Sequence, residues 1–146
     1  MGIIDKTVKG GVKLTVTVIG GFFLIVIIYS VAISVSRLMH IKKCDNIAHE
    51  VAESIISAEE MYRSVSGAYT ASQTELSRTN KGVPPKSFDP YESWSGSYEE
   101  IIWSVENATT SAYQATVRHH YGGNIYTFDQ TGEIKTELRK DEEFWD

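Results

Sequence analysis

Hydrophobic and polar positions follow three different patterns along this chain, and each predicts a different element. Between Lys13 and Arg37 the 23 residues LTVTVIGGFFLIVIIYSVAISVS carry no charge. A helix of about 20 apolar residues spans a bilayer core, so 14–39 is predicted to be a transmembrane helix behind a short basic tail, 1–13. From Ile41 the apolar residues thin to a stripe: Ile41, Cys44, Ile47, Ala48, Val51, Ile55, Ala58, Met61, Tyr62 and Val65 recur at spacings of mostly three and four. Lys42, Lys43, Glu50, Glu53, Ser57 and Glu60 take the other face, the pattern of an amphipathic helix over 40–69. No Gly or Pro falls between Phe22 and Ser66. One continuous helix from Leu14 to Ser66 is therefore expected, about 80 Å long at 1.5 Å per residue. Gly67 should end it through a left-handed turn, with Tyr69 folding back as an apolar anchor.

From Thr70 to Ser97 the chain is rich in Ser, Thr, Asn, Gly and Pro, with KGVPPKSFDPY at its middle. It reads as a surface loop, pinned by Phe88, Tyr91 and Trp94. The third pattern begins at residue 98, where SYEEIIWSVE, SAYQATVRHH, NIYTFDQ and EIKTEL are separated by NATT, YGG and QTG. Ile101, Trp103 and Val105 alternate, as do Tyr113, Ala115 and Val117, so 98–138 is predicted to be an antiparallel meander. Its apolar face needs a cover, and the stripe ending at Val65 supplies one. The expected fold class is thus α+β, a single long N-terminal helix packed on a small antiparallel sheet. Ile47, Val51, Ile55, Tyr62 and Tyr69 are expected at the helix–sheet core, and 139–146 form an acidic tail.

Charge sharpens this division. Residues 1–43 hold six Lys/Arg against Asp5, whereas 44–146 hold eight Lys/Arg against eighteen Asp/Glu. An acidic domain without a basic cluster excludes nucleic acid as a partner. Lys6, Lys9 and Lys13 before the apolar run nearly balance Arg37, Lys42 and Lys43 after it, so the positive-inside rule does not orient the helix. A cleaved signal peptide would use the same lysines and YSVA at 29–32, but the run exceeds the roughly 7–15 residues of such a core. Cys44 is the single cysteine, which rules out an intrachain disulfide, and HIKK before it is not a lipobox.

The search for chemistry returns little. His40 and Cys44 lie one helical turn apart, but two ligands make no complete metal site, and His40 alone is a weak haem or chlorin ligand. His119 and His120 face opposite sides of a strand. The pairs Glu59–Glu60 and Glu99–Glu100 read as solvated carboxylates. NAT at 107–109 reads as a turn, and KDEEFWD at the end as an unpacked or docking tail. No phosphate-binding loop, nucleophile elbow or CxxC occurs. No catalytic, cofactor or metal residue is assigned, and the chain is expected to be non-enzymatic.

A membrane helix continuing into an amphipathic one, then AEEMYRSVSGAY, a loop, and a meander with YTFDQTGEI near its end together resemble the type IV pilins and pseudopilins. Tyr62, Gly67 and Tyr69 match the tyrosine–glycine–tyrosine pattern that closes the long helix in that family, and Tyr126, Asp129 and Gly132 match its late hairpin. The resemblance implies a structural subunit of the type IV pilus or type II secretion kind, held in the bacterial inner membrane with its C-terminal domain outside the cytoplasm. The start departs from the family. In KGGVKLTVTV a cut after Gly11 places Val16 where those proteins carry a glutamate, and Lys13 just inside the processed end. The departure leaves room for a second role, a small accessory subunit of a respiratory or photosynthetic membrane complex. Expected partners are other membrane subunits, the chain itself and lipid, with no cofactor. In the membrane helix Thr17, Gly20, Gly21 and Leu24 form the expected partner surface, because helices in lipid associate through small residues. Phe22, Ile25 and Tyr29 are expected to face lipid.

Overall fold

A computed structural model describes residues 3–87 and 100–140, with side chains from Ile19 onward. Phe88, Tyr91, Trp94, Glu99 and the tail from 141 lie outside the described residues, as does the side chain of Thr17. The elements are α1 (Ile3–Ser66), α2 (Gln73–Thr79), β1 (Ile101–Glu106), β2 (Gln114–His119), β3 (Asn124–Asp129) and β4 (Lys135–Leu138). They fall into two compact units, residues 1–39 and 40–146.

The first unit is helix alone. Its apolar side chains from Ile19 to Met39 are exposed all round, for example Phe22 at 67 % and Tyr29 at 69 %. Ser30 and Ser34 return their hydroxyls to the carbonyls of Val26 and Ser30, at 2.8 and 2.9 Å. This removes two polar groups from the apolar surface.

In the second unit, α1 from residue 40 onward packs on a four-stranded antiparallel meander of order β1-β2-β3-β4. The fold is α+β, and its architecture is pilin-like. Trp103 pairs with Val117, and Val117 with Tyr126, so the inward residues of three strands line up beneath the helix. Strand alternation produces this directly: Ile101, Trp103, Val105, Ala115, Val117, Tyr126 and Phe128 are all buried. Ala48, Val51, Ala52, Ile55 and Ala58 meet them from the helix.

The helix runs alongside β3 in the same sense. Asp45 Oδ1 accepts the Asn124 N–H at 3.0 Å, His49 meets the edge of Tyr126 with ring centroids 5.4 Å apart, and Ile56 lies beside Gly132. Gly122 permits the approach at the β2–β3 turn, because a Cβ there would stand 2.6 Å from Asp45 Oδ1. Gly67 ends the helix as expected, at φ +79° with its N–H bonded to Arg63 O at 2.8 Å.

Three expectations need correction. The helix begins at Ile3 rather than Leu14, so residues 3–13, expected as a tail, are helical. The stripe stops early: Met61 is 50 % and Val65 90 % exposed, and Tyr62 is only half-buried and stands outside the core cluster. The buried stripe ends at Ala58 and Glu59, and the apolar residues of the last turn have no covering element among the described residues. The segment 70–97 is also more than a loop. Ser72 caps α2 by accepting the Glu75 N–H at 3.4 Å, Leu76 is fully buried and Val83 nearly so, and Asn80 donates to Ser54 O on α1 at 3.1 Å.

That segment also meets one edge of the sheet. The Trp103 N–H donates to Ser87 Oγ at 2.9 Å, and Gln73 Nε2 donates to Trp103 O at 3.3 Å. Gln73 Oε1 in turn accepts the Ser87 N–H at 3.0 Å, so the outward backbone groups of Trp103 at the middle of β1 are taken by side chains.

Candidate partner-binding surface

Three places collect unusual side chains: the apolar first unit and two polar clusters in the second. Within residues 19–39 one 18-residue window reaches a mean hydropathy of 2.3, none of it buried. Leu24 is 60 % exposed, and Gly20 and Gly21 have nothing within 4 Å of where a Cβ would stand. A second helix meets no obstruction there. Phe22 and Ile25, expected to face lipid, are 67 % and 65 % exposed. The isolated chain thus does not distinguish the two faces, since every face of this helix is open.

The first polar cluster is centred on Glu59, and here the sequence reading fails outright. Glu60 is exposed, as a solvated carboxylate should be, but Glu59 is fully buried. Its Oε2 accepts the Thr70 N–H at 3.0 Å. Burial pushes its pKa up to about 7 from 4.5; the Thr70 bond works against that shift and Glu60 adds to it. Oε1 has no hydrogen-bond partner, and neither does the buried Tyr113 hydroxyl. Burial first, and the Glu59 charge second, hold Tyr113 well above the ordinary tyrosine range.

Tyr69 closes the cluster. Its hydroxyl donates to Glu60 Oε1 at 2.9 Å and accepts from Arg63 Nη1 at 2.7 Å, and its ring lies 4.8 Å from that of Tyr113. The Tyr69 N–H bonds Thr109 O in the β1–β2 loop at 2.9 Å. The expected anchoring role of Tyr69 is therefore carried by both ends of the side chain and by the backbone. The buried Glu59 carboxyl fastens the stretch of chain leaving the helix through the Thr70 N–H, a structural duty.

The second cluster lies at the start of the unit. His40 Nε2 and Cys44 Sγ are 3.7 Å apart, and burial followed by the Asp45 charge raises the Cys44 thiol pKa. His119 is buried, and its Nδ1 accepts the Tyr121 N–H at 3.1 Å. Burial, with His40 and His120 behind it, lowers its pKa to about 4. It is a neutral core histidine. Among the described residues no three His, Cys, Asp or Glu are placed to hold a metal ion.

Of the residues expected at the helix–sheet core, Val51, Ile55 and Tyr69 lie in it and Ile47 packs against it. The sequence reading missed Ala52, Leu76 and Val83, of which Ala52 alone carried a signal, one residue beyond Val51 on the same stripe. No family model matches the chain, and no curated protein matches it.

Proposed function

We propose that the protein is a membrane-anchored, non-enzymatic structural or assembly subunit, working through protein–protein contacts as pilin-like proteins do. One observation carries this reading: residues 19–39 present apolar side chains on every face, 43–69 % exposed for the large ones. In water such a surface is untenable, so lipid and partner helices must cover it. The pilin-like body beyond residue 40 supports the structural role, and its polar clusters serve the fold. On this reading the C-terminal domain lies outside the cytoplasm of a bacterial inner membrane.

The sequence around Gly11 favours a second reading, an accessory subunit of a larger respiratory or photosynthetic membrane complex. Val16 and Lys13 stand where an assembling pilin needs a glutamate and an apolar start. Crosslinking in native membranes separates the two. A ladder of the protein alone marks a self-assembling subunit, and a fixed set of other subunits marks an accessory one. Gly20→Leu should release the protein from either assembly in mild detergent, since the added side chain blocks close helix approach. Full extraction of the wild-type chain by carbonate, without detergent, would overturn the anchor itself.

A further inference from the structure

The two edges of the sheet are finished differently. At β1 the outward N–H and C=O of Trp103 are taken by Ser87 and Gln73, whereas all four residues of β4 are exposed, Leu138 at 83 %. The Arg139 N–H bonds Gly123 O at 2.8 Å, which fixes the phase of the ladder. Odd-numbered residues of this strand aim their backbone groups at β3, and Thr136 and Leu138 aim theirs outward. The open edge reads Ile134-Lys135-Thr136-Glu137-Leu138. Single charges on an edge ordinarily discourage pairing. Here they alternate in sign about Thr136, so an antiparallel copy of the same strand meets opposite charge at each place.

We propose that β4 is a homotypic docking edge, whose occupant is the β4 of a second copy of this chain, paired antiparallel about a two-fold axis through Thr136. In this register Thr136 faces Thr136, Lys135 faces Glu137, and Ile134 faces Leu138. The phase agrees with the symmetry. Thr136 aims its N–H and C=O outward, so the central pair exchanges two equivalent hydrogen bonds across the axis. Thr136 and Leu138 pair with Tyr126 and Asn124 of β3, so they stand on the helix-covered face. The Ile134–Leu138 contacts thus extend the core side, and the Lys135–Glu137 pairs lie on the open face.

The test uses the full chain in detergent with Thr136→Cys under mild oxidation. Cα atoms of a hydrogen-bonded pair stand about 5.5 Å apart, within disulfide reach. A covalent dimer is expected, with none from the wild type, whose Cys44 is buried, and none from Thr127→Cys on β3. On the Thr136→Cys background, Lys135→Glu should cut the dimer yield at least about tenfold, and Lys135→Glu with Glu137→Lys should restore it. Absence of the dimer, equal yield from Thr127→Cys, or failure of the double reversal overturns the pairing.

Discussion

One helix, α1, carries two surfaces that differ in a single respect. Before residue 40 its apolar residues occupy every face, and after it they occupy one. The first surface is exposed throughout, Ile19 to Met39, while the second loses Cys44, Ala48, Val51, Ala52, Ile55 and Ala58 to a covering sheet. Apolar content alone does not decide burial within a chain. A stripe needs a partner of matching width, which the meander supplies, whereas a full cylinder needs a solvent.

The contrast can be broken most sharply by placing a charge on each surface. Val51→Asp places a carboxylate without a partner in the buried helix–sheet core, and should cost more than about 4 kcal/mol. Thermal unfolding of a fragment covering 40–146 would show the loss of its cooperative transition. Ile27→Asp, in the exposed stretch, should leave that fold untouched in the full chain. It should instead weaken membrane insertion by roughly 3 kcal/mol, read as a larger soluble fraction.

The next effect is electrostatic and concerns what the covering costs. Glu59 titrates near 7 in the folded protein and near 4.5 when ordinary. The native state holds a proton that the unfolded state releases, so this group subtracts stability as pH rises from 4.5 to about 7. His119 does the reverse: its lowered value of about 4 against 6.5 makes stability rise with pH over that window. The two slopes oppose each other between 4.5 and 6.5. Glu59→Gln should remove one, adding up to about 3 kcal/mol at pH 8 and uncovering a rise in stability from pH 4 to 6.5. Denaturant titrations of the fragment at pH 4, 6.5 and 8 would check it, and an unchanged value at pH 8 would refute the Glu59 assignment.

Smaller effects sharpen the boundary where the stripe ends. Gly67 has open space around it but φ +79°, so Gly67→Val should cost roughly 1–2 kcal/mol through backbone strain alone. Gly67→Asn, which tolerates that conformation, should cost less. Val65→Ser, at the 90 % exposed end of the predicted stripe, should change stability by no more than about 0.5 kcal/mol. A loss comparable to that of a core valine would mean that the last turn is covered.

The sequence by itself determined the elements whose signal is carried by the chain's own period. The uncharged run ahead of Arg37, the three-and-four spacing from Ile41, the alternation of Ile101, Trp103 and Val105, and the stop at Gly67 each express a local backbone geometry. The tertiary structure alone decided what covers each face. Period places Glu59 beside Ala58 but does not say that Thr70 and Tyr113 will enclose it. It extends the stripe to Val65 although the packing ends at Glu59, and it gives no sign that Leu76 is buried. Ser87 and Gln73 take the outward groups of Trp103 on one sheet edge while Thr136 is left on the other, again without a local signal. Burial belongs to two surfaces at once, and a single sequence period describes only one of them.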